Sequence, residues 1–439
     1  MFEHNTVKRL PARIPYAVLL PMLMIVGIGI LNLSSAARAT RPELYLNQLA
    51  RFSLAVVLMA GVSLVHTRIL RRLSYLAFVS AILMLLLVLA IGTTAKGAER
   101  WLVLGALRIQ PSDPAKLALI LAMARYCSIY WPHKGYSLIS LIRPLNISRP
   151  LGFLISMVFL LRKSHHGLPI FSDQLLTSRL GMGLMILCLA CGFLWLLLSI
   201  FKLYRQRFDL KLLIAPLDIP LILFLLIAIE PDLGTGLIVL AIAGIMLLFV
   251  GIRRSSLILG GISILLVGVG AYFTLLKDYQ RQRIISFLNP EADIRGEGYH
   301  AMQSIIAIGS GRVTGKGYSG GTQTQLSFLP ENATDFVFSV WAEEWGFVAS
   351  IFLLGLYSVL LYSILKIAGK VTDEYSQLIC VGVAAFIFLH VLINVGMVTG
   401  LMPVVGVPLP LMSFGGSSMN VTMIGIGLVI NVAIWRGEQ

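Results

Sequence analysis

The chain has 439 residues, of which 57% are hydrophobic and only 13% charged, with a formal net charge of +15 and a mean hydropathy of +0.87. A soluble domain carries about 25% charged residues, so a water-soluble enzyme is excluded and a multi-pass membrane protein is expected. The basic balance does not point to nucleic acid, because much of the Lys/Arg excess falls in short loops between apolar runs, where anionic membrane lipids are the natural partner.

Apolar runs of roughly 17 to 25 residues mark transmembrane helices. The first, YAVLLPMLMIVGIGILNL (16–33), follows Lys8, Arg9 and Arg13, which places the N-terminus in the cytoplasm. It has span length and no clear small-residue cleavage site, so it reads as a span and not as a removable signal. A second run at about 51–66 ends in the basic turn HTRILRR; a third, 74–92, ends outside at TTAKGAERW; a fourth, about 115–131, returns inside. Residues 135–211 read as an insertion with two further apolar passes, 143–161 and 183–201, either an extra helical hairpin or, since Arg149 and Pro150 interrupt the first, a half-span or interfacial helix; two passes, or none, leave the downstream topology unchanged. Runs at 212–229, 236–251 and 256–276 then bring the chain outside, to a large extracytoplasmic loop over 278–335. Runs within 336–365, 377–398 and 418–435 return it to a cytoplasmic C-terminus. The expected fold is an all-α polytopic membrane protein, one integral membrane domain with ten core transmembrane helices. Cys127, Cys188, Cys191 and Cys380 all fall in apolar segments and read as packing residues.

Four polar islands interrupt this background: GAERWLVLGALRIQPSDPAK (97–116), EPDLGTG (230–236), the 278–335 loop, and GLMPVVGVPLPLMSFGGSS (400–418). By the span count each falls at an outer helix end, which suggests one site on the outer face. Polar groups at membrane depth are costly, so functional or paired roles are the default. In NPEADIRGEGYH (289–300), Asp293 sits between a proline turn and a glycine-rich turn, a setting in which a partly dry carboxylate can act as a base. The competing reading is a solvated loop acid paired with Arg295. Arg100, Lys116, Arg295, Arg312 and Lys316 suit an anionic phosphate or diphosphate substrate as a set, whereas singly each reads better as an ion-pair partner, for instance Asp113 with Lys116 at i,i+3. The run AIGSGRVTGKGYSGGTQTQ (307–325) lacks phosphate-loop spacing and reads as a flexible loop or re-entrant segment. Glu331 and Asp335 lie near a helix start, where acids also serve as caps. Glu343 and Glu344 lie near a span and should find partners inside the bundle. The Pro-Gly break in PVVGVPLP is of the kind that lines sites in transporters.

Together the islands resemble the SEDS family (the RodA, FtsW and SpoVE type). GAERW…QPSDPAK is similar to its GAxRW…QPSExxK, EPDLGTG to its QPDLGTA, and the 278–335 loop and 400–418 run to its large outer loop and C-terminal signature. The wording of GTQTQLSFLPE and VVGVPLPLMSFGG is nearer the elongation branch than the division branch. The resemblance implies a peptidoglycan glycosyltransferase that polymerises lipid II and acts in cell elongation and shape maintenance. It implies further a class B penicillin-binding protein and other elongation-complex proteins as partners, in the bacterial inner membrane. The family's essential loop aspartate carries over to Asp293 as catalytic base. In the first island the resemblance implies substrate contacts from Arg100, Trp101, Gln110, Ser112 and Lys116, with Asp113 in support. In the outer loop it implies contacts from Lys316, Glu331 and Asp335. Asp232, Glu343 and Glu344 would support the site from neighbouring helices, and Pro408, Ser413, Gly415 and Gly416 from the C-terminal signature. Diphosphate charge would be neutralised by Arg100, Lys116 and Lys316 or by a divalent cation (Mg or Mn). The chain departs from the pattern at Asp113 (usually Glu), Glu230 (usually Gln) and Ile294–Arg295 (commonly Pro-Leu), and 135–211 has no recognised counterpart.

Two other readings fit parts of the pattern. A lipid flippase or transporter also uses broken helices and intramembrane acids, but needs a polar path to each face in turn. A non-catalytic scaffold would not require Asp293 together with outer cations.

Overall fold

A computed structural model describes residues 15–38, 43–91, 93–95, 98–104, 107–132, 135–142, 215–230, 232–274, 281, 285–287, 297–325 and 333–435. Its described helices of more than five residues are α1 (Tyr16–Ala36), α2 (Leu44–Leu64), α3 (Thr67–Ile91), α4 (Ser112–Ile129), α5 (Asp218–Ile229), α6 (Leu233–Val250), α7 (Arg254–Thr274), α8 (Glu297–Ser310), α9 (Val337–Ala368), α10 (Glu374–Val398) and α11 (Gly416–Trp435). All ten expected core spans are helical, and α8 is added inside the large loop. Among the described residues, seven helices (α1, α2, α3, α6, α9, α10 and α11) are long and apolar enough to cross a membrane. Helix α4 is more polar, carrying Asp113, Lys116 and Arg125 within 18 residues. Helices α2 and α3 begin about a turn or two before the apolar runs do, because hydropathy marks the hydrocarbon part of a span and the helix continues into the interface.

The first polar island departs from the all-helical expectation. It forms a small antiparallel sheet of β1 (Thr93–Ala95), β2 (Ala98–Leu104) and β3 (Leu107–Ile109). Thr93 pairs with Trp101 across a bulge, and Leu102 pairs with Ile109. Leu102 is buried, and β3 runs straight into the proline-flanked first turn of α4, where Pro111 and Pro114 are tolerated because those N–H groups have no helical partner.

Contacts divide the chain into two units, Met1–Trp131 with Ile222–Val250 and Gly261–Gln439, and Pro132–Leu221 with Gly251–Gly260. In the second unit, Tyr136 N–H donates to Gly251 O at 2.9 Å and Arg253 N–H to Tyr136 O at 3.0 Å. Most of the expected insertion over 135–211 lies outside the described residues.

In the first unit, α4 and α10 form the core. Helix α10 packs on α4, α6 and α9, α3 on α4, α1 on α9, and α2 on α11. The alanines of α4 (Ala115, Ala118, Ala122, Ala124) are buried and let neighbouring backbones approach closely. Asn431 of α11 donates to Val62 O at 3.2 Å and Ser63 O at 3.1 Å, answering carbonyls at the end of α2. The leucines, isoleucines and valines of α2 and α3 that face outward are lipid-facing surface.

Helix α9 breaks at Gly346, whose φ is +74°. The part beyond the break is long enough to span by itself, at roughly 33 Å. A break inside a helix leaves carbonyls and N–H groups without partners, and the glycine-rich segment 311–317 supplies them. Lys316 N–H donates to Glu343 O at 3.1 Å and Gly317 N–H to Glu344 O at 2.9 Å, while Phe347 N–H donates to Arg312 O at 2.9 Å. The segment is thus a loop, as expected, but one pinned to a helix by its backbone. The approach leaves no room for side chains: a Cβ at Gly315 (φ +82°) would lie 2.1 Å from Glu344 O, and one at Gly346 2.3 Å from Gly315 N. Gly315→Ala should therefore lower the thermal unfolding midpoint in detergent, by the equivalent of about 2 kcal/mol; an unchanged midpoint would contradict this account of the break.

Candidate functional site

The described parts of all four polar islands meet at one end of the first unit. At the start of α4, Gln110 Nε2 donates to Ser112 Oγ at 3.1 Å and to Asp232 Oδ2 at 3.4 Å. Asp232 precedes α6, and its Oδ1 accepts from Thr235 N–H at 3.4 Å, so it caps that helix. One turn into α4, the Lys116 ammonium lies 2.9 Å from Asp113 Oδ1 and 3.1 Å from His390 Nε2. Both Asp113 and Lys116 are buried. An ammonium only donates, so His390 Nε2 accepts, and its Nδ1–H donates to Phe386 O at 2.9 Å. The histidine is therefore neutral in this arrangement, with its tautomer fixed from both sides.

His390 and Asn394 lie four residues apart on α10, on one face and roughly 6 Å apart along the axis. Asn394 Nδ2 donates to Asp335 O at 2.8 Å and to Val407 O at 2.7 Å. It thereby ties the end of the large loop to the Pro-Gly break of the fourth island. Ser413 Oγ closes the same junction, accepting from Leu409 N–H at 2.8 Å and donating to Thr334 O at 2.6 Å. Phe414 N–H donates to Ala333 O at 2.8 Å. Arg51, from α2, stacks over the Phe414 ring at 4.2 Å and lies beside Gly416, the first residue of α11.

Glu343 and Glu344, both fully buried, face two different partners. Glu343 Oε1 accepts from Lys316 Nζ at 2.8 Å and from Gln323 N–H at 3.0 Å, and Oε2 accepts from Thr324 Oγ1 at 3.0 Å. Glu344 accepts from Ser35 at the end of α1. Asn32, on the same helix, donates to Val337 O at 2.8 Å.

Of the residues expected at the site, Gln110, Ser112, Asp113, Lys116 and Asp232 form one cluster. Asp335, Pro408, Ser413, Gly415 and Gly416 belong to the junction beside it, and Lys316, Glu343 and Glu344 to the helix break. Phe336, the N-cap residue of α9, makes no side-chain cap of its own. Arg100 and Trp101 lie on β2. Asp293, Arg295 and Glu331 lie outside the described residues. Among the described residues no group of three or more His, Cys, Asp or Glu converges as a metal site. His390, Asn394 and Arg51 are additions. The first two are legible as lone polar residues at i,i+4 in the apolar run FIFLHVLINVG, whereas Arg51 looks like no more than the start of a span.

Asp113→Ala would leave the buried Lys116 charge facing only a neutral imidazole, and should cost about 3 kcal/mol of stability. Removing both partners, in Asp113→Ala/Lys116→Met, should recover most of it. Unfolding curves in detergent check both, and a single variant as stable as wild type would mean that the pair is not held as described.

The family model described as "Cell cycle protein" (the FtsW, RodA and SpoVE type) matches residues 10–199 and 182–437. Peptidoglycan glycosyltransferase MrdB of Escherichia coli K12 is 34% identical over 397 residues, covering 89% of this chain and 85% of that protein. Peptidoglycan glycosyltransferase RodA of Treponema pallidum is 33% identical over 431 residues, covering 95% and 96%. Among solved structures, a chain from a peptidoglycan synthase complex described as coordinating polymerization and crosslinking superposes with a TM-score of 0.69 at 28% identity, over 97% of this chain and 98% of that one. Thermus thermophilus RodA superposes with a TM-score of 0.58 at 26% identity, over 96% and 97%. An apolar bundle with its polar islands gathered at one end, matched by this family over nearly its whole length, makes the chain a multi-pass membrane protein of the FtsW/RodA/SpoVE family.

Proposed function

We infer that this chain is a peptidoglycan glycosyltransferase acting in cell elongation, which polymerises lipid II into β-1,4 glycan strands in the bacterial inner membrane. The observation that carries the reading is the convergence of the four polar islands at one end of an apolar bundle, in a chain 34% identical to a named peptidoglycan glycosyltransferase. A substrate with a membrane-embedded tail and a polar head is matched by a site at the end of a span bundle. The positive-inside pattern assigns that end to the extracytoplasmic face and both termini to the cytoplasm.

In the proposed reaction Asp293 takes the proton from the 4-hydroxyl of the acceptor GlcNAc. The oxygen attacks C1 of the donor MurNAc, a C–O bond forms there, and the bond from C1 to the diphosphate oxygen breaks with its electron pair leaving on undecaprenyl diphosphate. A single displacement on an α-linked donor inverts the anomeric centre and needs one base on the acceptor side. The leaving diphosphate requires positive charge near it. Lys116 and Lys316 are already paired with Asp113 and Glu343, so in this reading they orient the site as neutral pairs. Arg100 and Arg51 supply the cationic contact. Trp101, Gln110, Ser112, Glu331 and Asp335 are assigned to substrate contacts. A divalent cation (Mg or Mn) would typically be held by one or two carboxylates with substrate phosphates, and chelation of the purified enzyme decides whether one is needed.

A class B penicillin-binding protein is the proposed partner, together with other elongation-complex proteins. The synthase-complex neighbour, whose description couples polymerization with crosslinking, supports this.

Polymerisation of purified lipid II, with and without the penicillin-binding protein, tests the reading. Asp293→Asn should lower the rate at least 100-fold, the lower range for loss of a general base, with lipid II binding retained. Full activity in that variant would remove the base assignment. No polymer from wild type with its partner present would overturn the function. Arg51→Met should raise the lipid II concentration needed for half-maximal rate several-fold, and an unchanged concentration dependence would take Arg51 out of the site.

A further inference from the structure

A second polar feature lies at the opposite end of the first unit, roughly 18 Å along α4 from Asp113 to Arg125. It is a pocket of about 400 Å³ lined by His66, Thr67, Arg68, Arg71, Arg72, Arg125, Asp373 and Trp435. Four guanidinium groups face one carboxylate there, and nothing in the proposed reaction uses them.

The pocket is built, not incidental. Arg125 donates to Arg71 O at 2.7 Å and to Arg72 O at 2.9 Å, and stacks over Tyr75 at 4.4 Å. Arg71 pairs with Asp373 at 2.5 Å and lies over Tyr375 at 4.8 Å. Asp373 in turn caps α10 through Ser376 N–H at 3.0 Å. These contacts fix two arginines and spend the one acid. The guanidinium groups of Arg68 and Arg72 have no partner among the described residues and are exposed. Arg68, Arg71 and Arg72 follow one another at i, i+3 and i+4, so they share one face of α3. The N-terminus of α3 adds its own positive end.

We propose that this pocket binds the phosphodiester headgroup of an anionic membrane phospholipid. The surroundings favour a lipid over a soluble anion. Leu64, Ile69, Leu73 and Leu76 flank the free arginines on α2 and α3 and are exposed, which gives acyl chains an apolar surface directly below the charges. The His66 and Trp435 rings, 4.7 Å apart, stand at the same level, as interfacial aromatics do. The location at basic helix ends is the cytoplasmic side under the positive-inside pattern, where the leaflet is anionic. The site would anchor α2, α3, α10 and α11 at the face opposite to the chemistry, and it stands independently of the proposed reaction.

The test uses the full chain in phosphatidylcholine nanodiscs, titrated with phosphatidylglycerol and followed by its thermal unfolding midpoint. Wild type should be stabilised saturably. Arg68→Gln/Arg72→Gln should keep the wild-type midpoint in phosphatidylcholine alone but need about 30-fold more phosphatidylglycerol for half the effect, at roughly fivefold per arginine. Inorganic phosphate added to phosphatidylcholine discs should give no shift. Equal titrations for variant and wild type, an equal shift from inorganic phosphate, or no shift with phosphatidylglycerol would each overturn the proposal.

Discussion

A membrane interior offers no water, so any backbone group freed by a break in a spanning helix must be answered by protein. The break of α9 at Gly346 is where this constraint shapes the molecule most. Among the described residues it is answered by the glycine-rich segment 311–317, which can come that close because Gly315 and Gly346 carry no side chains. Docking that segment brings Lys316 to Glu343. The start of α9 is held by Asn32 of α1 through Val337 O, and the chain just ahead of it by Asn394 of α10 through Asp335 O. A loop that looks solvent-like in composition is in this way a structural member of the bundle.

The same economy governs charge. Lys116 with Asp113 and His390, Glu343 with Lys316, and Glu344 with Ser35 are each a buried polar group given a specific partner. Such pairs add little net stability over apolar packing, but they fix geometry because losing one partner is costly. The polar end of the bundle is thus a rigid frame of neutralised pairs and backbone hydrogen bonds. Arg51, held over Phe414 and without a carboxylate partner among the described residues, stands at its edge. A frame of this kind suits chemistry that depends on placing two large lipid-linked sugars in line, where orientation supplies much of the rate.

The spans were legible in the sequence because length and apolarity decide them, and the islands because charge is rare in such a chain. What composition could not show was tertiary. The strands over 93–109 were missed because a leucine-rich stretch broken by Gly105 and Ala106 carries little β-branched signal. His390 and Asn394 each look like a single polar residue tolerated in an apolar helix, and only folding reveals that His390 meets the first island and Asn394 joins the third to the fourth. The i,i+3 pairing of Asp113 with Lys116 was readable from spacing, whereas the His390 contact that fixes it came from 274 residues away. The substrate roles carried by the resemblance, Asp293 above all, rest on motif context, since the acid lies outside the described residues.

If the polar end of the bundle is a single, one-sided site for a lipid-linked sugar, the sugar meets the protein at that end alone. The most direct measurement is photocrosslinking of a lipid II analogue, with the reactive group on its disaccharide, to the purified protein, followed by mapping of the labelled residues. Labels are expected near Gln110, Asp335, Phe414 and Arg51, and none near Arg68 or Trp435. Labels at both ends, appearing in turn as the substrate moves across, would contradict a one-sided site and favour a transporter.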